Sequence, residues 1–256
     1  MKAPGHPESM RLNRYLARAG KGSRRDVEQY IIAGRVTING KLCRELATTV
    51  HPGKDTVTLD GEVVLLPNLL YFKAYKPRGM VTTLDDPQGR ESLEKLLGEN
   101  SIPAGVVPAG RLDKESEGLL ILTNDGDLLQ RLVHPSYEVE KTYRVLLDRR
   151  PPEADLERLR EGVQCEGYFA RPVRVARMGP QPADGENPEG YWLEIVMVEG
   201  RKREIREMLA TLRYSVLRLV RISHGPIRVG DLRPGEVRPL SDAERQALLD
   251  NEAQSV

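Results

Sequence analysis

Between a charged turn and an Asn-Asp-Gly turn the chain carries a short run without a polar side chain, Gly118-Leu119-Leu120-Ile121-Leu122. Its length, its composition and the turn signals on both sides predict a buried strand. Asn124-Asp125-Gly126 behind it supplies small residues that tolerate left-handed backbone and reverse a chain tightly. Ahead of it stands Gly110-Arg111-Leu112-Asp113, followed by Lys114, Glu115 and Glu117. Asp113 therefore lies in the loop that leads into a core strand, next to a fixed cation. A carboxylate held at the mouth of a buried strand is a candidate reactive group, although an isolated loop carboxylate is more commonly just solvated.

With 256 residues the chain can form one large domain or a small and a medium one. Its net charge of +1 is uninformative, but the distribution of charge is not. From Arg11 to Arg44 there are nine basic residues against two acidic ones, a local net of +7 that points to a polyanionic partner. Cys43 and Cys165 are the only cysteines, and His6, His51, His134 and His224 are scattered. Neither a disulfide framework nor a zinc site is expected, and no metal or cofactor is called for. The segment Met1 to Pro7 lacks the apolar core of a secretory signal, and no apolar run approaches membrane-spanning length. A soluble, cytoplasmic, monomeric protein without membrane contact is the expectation.

Met10 to Gly20 reads as a helix closed by glycine, with Leu12, Tyr15, Leu16 and Ala19 at three-four spacing and Arg11, Arg14 and Arg18 on the other face. Ser23 caps a second helix that has Arg24 and Arg25 in its first turn, Asp26 at the capping-box position, and Val27, Tyr30, Ile31 and Ile32 to bury. Cations at a helix start oppose its dipole, whereas a bound phosphate would be favoured by the dipole, the free amides and the arginines together. A short strand then turns through Asn39-Gly40 to Lys41, and residues 56–64 form a hairpin through Asp60-Gly61. The residues Arg11 to Leu16, Ser23 to Arg25 and Gly34 to Gly40 resemble the S4-like RNA-binding module. The resemblance implies that Arg11, Arg14, Ser23, Arg24, Arg25 and Lys41 meet folded RNA; the plainer alternative is a solvated helix face.

Pro67-Asn68 breaks the pattern. The expected organisation is a tail over 1–9, a first domain over 10–66, a second over 67–242 and a second tail over 243–256. In the second domain Leu69 to Tyr75, Val139 to Leu147, Tyr191 to Val198 and Ser215 to Ile222 read as strands. Ser92 to Leu97, Asp127 to Pro135 and Pro152 to Gly162 read as helical pieces, and Met178 to Gly190 as a loop. Gly200 to Arg206 places four cations in seven residues at a helix start. Strands and helices alternate without a regular βαβ repeat, so the fold class is α+β with a mixed, largely antiparallel sheet flanked by helices.

Lys76-Pro77-Arg78-Gly79, Gly110-Arg111-Leu112-Asp113, Lys141-Thr142-Tyr143 and Gly200 to Arg206, with the strand through Leu219, occur in an order that resembles the pseudouridine synthases of the RsuA/RluB type. Over residues 10 to 240 the resemblance implies an S4-like domain before a catalytic domain. It also implies an isomerisation in which uracil is detached from its sugar, rotated and rejoined through carbon 5. Asp113 matches the catalytic aspartate, and neighbouring guanidinium groups would favour its ionised form. Arg206 matches its basic partner, expected to form an oriented ion pair with it. Tyr143 matches the tyrosine that stacks on the base and handles the carbon 5 proton, and Leu219 the apolar residue beneath them. Arg111 would hold the flipped nucleotide, with Lys76, Arg201, Lys202 and Arg203 also contacting RNA. Two positions depart from the pattern: Glu204 stands where Gln is frequent and Lys202 where Asn is. The large ribosomal subunit's 23S RNA is the expected target. A 16S target or a non-catalytic ribosome-assembly factor is the alternative, while a metal-dependent hydrolase using Asp125 and Asp127 has no histidine to support it.

Overall fold

A computed structural model describes residues 9–185 and 187–250. Two compact units are present, one containing the residues up to Leu70 together with Asn124–Gly126, the other Tyr71–Thr123 and the residues from Asp127 onward.

The first unit contains β1 (Met10–Arg11), α1 (Leu12–Arg18), α2 (Arg24–Ile32), β2 (Val36–Ile38), β3 (Lys41–Cys43), β4 (Thr49–Val50), β5 (Val57–Leu59) and β6 (Glu62–Val63). The three-four spacing of α1 does what it predicts, burying Leu12, Tyr15 and Leu16 against Val27 and Ile31 of α2 and against Val36, Val50 and Val57 of the strands. Ile32, expected on that face, is exposed instead. Ser23 forms the capping box, its hydroxyl accepting from the Asp26 amide while the Asp26 carboxylate accepts from the Ser23 amide at 2.9 Å. Strands β3-β2-β5-β6 form an antiparallel sheet whose two tight turns have Asn39 and Asp60 at positive φ.

The second unit runs through β7 (Tyr71–Lys76), α3 (Leu93–Glu99), β8 (Val107–Pro108), β9 (Glu117–Thr123), α4 (Gly126–Val133), β10 (Lys141–Leu147), α5 (Glu153–Glu161), β11 (Val163–Cys165), β12 (Tyr168–Ala170), β13 (Arg174–Gln181), β14 (Gly190–Met197), α6 (Glu204–Thr211), β15 (Val216–His224), β16 (Ile227–Arg228), β17 (Val237–Pro239) and α7 (Asp242–Asp250). The first residue of α4 is counted with the other unit. The central sheet has the order β13-β14-β10-β15-β9-β7-β17, with β16 beside β15 and β8 beside β9. Its strand pairs are antiparallel except β15 with β9. This is the α+β class that the interspersed elements imply. The apolar run is the middle of β9, whose seven residues are all buried.

Two stretches differ from expectation. Met178 to Gln181, read as loop because of its Gly and Pro, continues β13 along β14, where an edge position tolerates the missing amide of Pro180. The tail expected from residue 243 is helical to Asp250, because Leu248 is buried and the Glu244 carboxylate pairs with the Lys73 ammonium at 2.7 Å. The tail expected over residues 1–9 falls, except for Ser9, outside the described residues. Among the described residues no helix is long and apolar enough to cross a membrane.

Gly118 has φ +103, and a Cβ built on it would stand 2.3 Å from the Arg221 carbonyl oxygen on the neighbouring strand. Both the dihedral and the clash with rigid backbone exclude a side chain. Gly118→Ala is expected to destabilise the chain by about 3 kcal/mol. An unchanged midpoint in urea-induced unfolding would show that β9 and β15 can move apart at no cost.

Candidate active site

Asp113 owes its position to main-chain bonds around it. The Thr82 hydroxyl donates to the Leu112 carbonyl at 2.7 Å and accepts from the Leu112 amide at 3.2 Å. The Ser116 amide donates to the Asp113 carbonyl, and the Gly79 amide to the Lys114 carbonyl at 2.7 Å. Beneath that last contact lies Lys76, 0% exposed, whose ammonium donates to the carbonyls of Pro77 and Met80. Burial pushes its pKa down to about 8. Lys76 is thus the internal post of the turn that backs the Asp113 loop, which corrects the expectation that it touches RNA.

Arg206 departs from expectation as well. Among the described residues no ion pair joins it to Asp113; its guanidinium donates to the carbonyls of Glu115 and Val216, each at 3.1 Å. Burial, then Arg203, lowers its pKa, and the charge of Asp113 works in the opposite sense, so the two groups sense each other without touching. Arg206 therefore holds the loop by its backbone, and its Nε is buried without a partner.

A cavity of about 630 Å³ opens beside the loop. Its wall brings together Asp113, Tyr143 and Leu219 with Arg111, Arg201, Lys202 and Arg203. Arg206 and Lys76 are not part of that wall. Tyr143 and Leu219 are buried, one on β10 and one on β15, while Asp113 is half-buried. Among the described residues no hydrogen bond or ion pair engages the Asp113 carboxylate, which leaves its oxygens available to a ligand. Arg203 caps α6 in the left-handed conformation and reaches the Glu115 carboxylate at 3.4 Å. Arg201 lies over the Tyr168 ring at 4.7 Å and pairs with Glu199 at 3.0 Å. Arg11, Ser23, Arg24, Arg25 and Lys41 are exposed on the first unit, and Arg14 is half-buried, its pKa lowered by burial and then by Arg18 and Arg24. Arg18, on the same basic face, pairs with Asp125 at 3.2 Å, so Asp125 is more than a turn residue.

Sequence reasoning gave no role to Ser116, Lys141, Arg221 and His224 of the wall, and noted Glu204 only as a departure from the family pattern. All five are buried. The Lys141 ammonium donates to the carbonyls of Val139 and Val198. Glu204 accepts from the Arg201 amide at 3.0 Å, and burial raises its pKa. Arg221 and His224 line one cavity although they lie three positions apart, because a bulge shifts β15 against β10 between the pairs Thr142–Ser223 and Tyr143–Arg221. The run Val216 to His224 carries two arginines, Arg218 and Arg221, and a charged residue inside a central strand needs a reason to be there.

Comparison with known proteins shows the family. Residues 71–211 match the RNA pseudouridylate synthase family and residues 10–55 the S4 domain. An uncharacterized RNA pseudouridine synthase of Aquifex aeolicus is 40% identical over 243 residues, 94% of either chain. Ribosomal large subunit pseudouridine synthase B of Bacillus subtilis is 32% identical over 238 residues, 93% of this chain and 95% of that one. A crystal structure of a pseudouridylate synthase, 26% identical, matches with a TM-score of 0.62 over 93% of this chain and 99% of its own. The chain belongs to the RNA pseudouridine synthases, in the RsuA/RluB-type group that joins an S4 domain to the catalytic domain. It is an isomerase that acts on RNA.

Two expectations test the wall and the loop. Burial, then the Arg221 charge, pushes the Lys141 pKa down to about 8 from an ordinary 10.5. The unfolded chain therefore holds a proton that the folded chain has lost between those values, and the residue's contribution to stability rises with pH across that window. An NMR titration of the Lys141 side chain should have its midpoint near pH 8; a midpoint near 10 would contradict its desolvation. Thr82→Val should cost about 1–2 kcal/mol. It should also slow isomerisation roughly tenfold to a hundredfold by loosening the loop; a variant with unchanged turnover would show that Thr82 does not position Asp113.

Proposed function

We propose that the chain isomerises one uridine of large-subunit ribosomal RNA, with Asp113 as the reacting carboxylate. The observation that carries the reading is the convergence of an unengaged Asp113 carboxylate, Tyr143 and Leu219 on one cavity. The volume of about 630 Å³ suits an extruded nucleotide. The reaction exchanges a carbon–nitrogen glycosidic bond for a carbon–carbon one and moves a proton from carbon 5 to a ring nitrogen, so it is redox-neutral. Asp113 attacks the flipped nucleotide, Tyr143 stacks on the base and handles the carbon 5 proton, and Leu219 keeps water from the reacting atoms. Arg206 steadies the loop rather than pairing with the carboxylate. Arg111, Arg201, Lys202 and Arg203 meet the phosphates around the flipped base, and extrusion costs a few kcal/mol that these contacts offset. Arg11, Arg14, Ser23, Arg24, Arg25 and Lys41 of the S4 unit grip the surrounding RNA fold.

The large-subunit target is supported by relatives named ribosomal large subunit pseudouridine synthase B in Bacillus subtilis and Haemophilus influenzae. The test is to incubate 23S and 16S transcripts with the purified chain and map pseudouridines. A single modified uridine in 23S RNA is expected, and Asp113→Asn should be slower by at least about a thousandfold. Full activity in that variant would remove Asp113 from the chemistry. Modification of the 16S transcript alone would overturn the choice of subunit and leave the chemistry standing.

A further inference from the structure

Arg221 and His224 sit in the cavity wall with groups that nothing among the described residues satisfies. Arg221 is 2% exposed, and its Nε donates to the Leu119 carbonyl at 2.7 Å. Its Nη2 is buried without an acceptor, and among the described residues no carboxylate pairs with it. A guanidinium does not shed its proton, so Nη2 stays a donor. His224 is 1% exposed and its Nε2 lies 3.1 Å from the Leu132 carbonyl. A carbonyl can only accept, so Nε2 carries the hydrogen and Nδ1 is left as an acceptor. Nδ1 is buried and meets no donor among the described residues. Burial, then the charges of Arg221 and Lys141, holds the imidazole pKa well below its ordinary value and keeps that lone pair free of a proton. The bulge in β15 turns both residues toward the same space.

A donor and an acceptor on two residues of one cavity wall suit some ligands and not others. A phosphate would satisfy Arg221 but would meet a lone pair at His224. Lys141, the other buried cation of the wall, already spends its ammonium on two carbonyls. The Watson–Crick edge of uracil, by contrast, offers a carbonyl acceptor, O4, beside the N3–H donor. Cytosine inverts the pair, with an amino donor beside an unprotonated ring nitrogen.

We propose that Arg221 and His224 read the target base, Nη2 of Arg221 donating to uracil O4 and Nδ1 of His224 accepting from N3–H. The pair selects uracil over cytosine, because a cytosine would leave donor facing donor and acceptor facing acceptor in a dry site. The inference rests on the reading that this cavity holds the target uridine. In the free chain the two atoms remain unmatched, which is rare for buried polar groups and is relieved when the base arrives.

The test uses the full chain and a synthetic RNA spanning the mapped uridine, tritiated at carbon 5 of that nucleotide, which loses its tritium on isomerisation. The same RNA is made with 3-methyluridine at the target, which has no N3–H. Single-turnover rates are measured for the wild type and for His224→Ala. The wild type should release tritium from uridine and be slower on the methylated base by about a hundredfold or more. In His224→Ala the uridine rate should fall, and methylation should slow it by no more than about threefold further, because the acceptor is gone and the methyl group has room. Equal wild-type rates on the two bases, or a full methylation penalty retained in His224→Ala, would overturn the inference and leave the proposed function intact. No tritium release by the wild type from uridine itself would overturn both. The wild-type comparison stands even if His224→Ala does not fold.

Discussion

The catalytic unit depends on two backbones meeting at Gly118, where a Cβ would lie 2.3 Å from the Arg221 carbonyl oxygen. The contact belongs to the pairing of β9 with β15, which is parallel within an otherwise antiparallel sheet. Strand β9 brings the Asp113 loop to this point, while β15 brings Leu219, Arg221 and His224. On its other side β15 pairs with β10, which places Tyr143 opposite Arg221. Residues more than a hundred positions apart thus share one wall because one position has no side chain.

Charge is distributed unevenly around that wall. Exposed Arg111, Arg201, Lys202 and Arg203 can steer an approaching polyanion, since solvent-facing cations act over about a Debye length. The buried groups do something else. Lys141 is taken up by carbonyls, and its pKa of about 8 reflects desolvation that those two bonds do not remove. On the opposite face of β15, Arg218 forms a two-point ion pair with buried Glu117, which also accepts from the Tyr75 hydroxyl at 2.9 Å. Glu117 opens β9, so this network fixes the strand immediately after the loop that carries Asp113.

Local signals were legible in the sequence wherever one segment decides its own structure. The capping box of Ser23 and Asp26, the Asn39-Gly40 and Asp60-Gly61 turns, and the buried run of β9 all depend on neighbours in the chain. Elements decided by distant partners were harder to read. Strand β13 extends through Gly179 and Pro180 because β14 lies alongside, and α7 exists because Lys73 and a buried site for Leu248 await it. In the site, motif order pointed to Asp113, Tyr143 and Leu219, which the fold does gather. The same order misjudged Lys76, whose charge turned inward onto carbonyls, and Arg206, which bonds to the loop backbone instead of the carboxylate. Arg221 and His224 escaped notice because a bulge breaks the period-two rule that sequence reading relies on.

The Asp113 loop is anchored through peptide groups: both polar atoms of Leu112, and the carbonyls of Asp113, Lys114 and Glu115. A peptide group is the same whatever residue carries it. The exposed side chain of Lys114 can therefore be exchanged in evolution, or by design, without displacing the Asp113 carboxylate beside it. Position is thus held by peptide groups that every residue shares, and the surface of the loop can change while its backbone stays fixed.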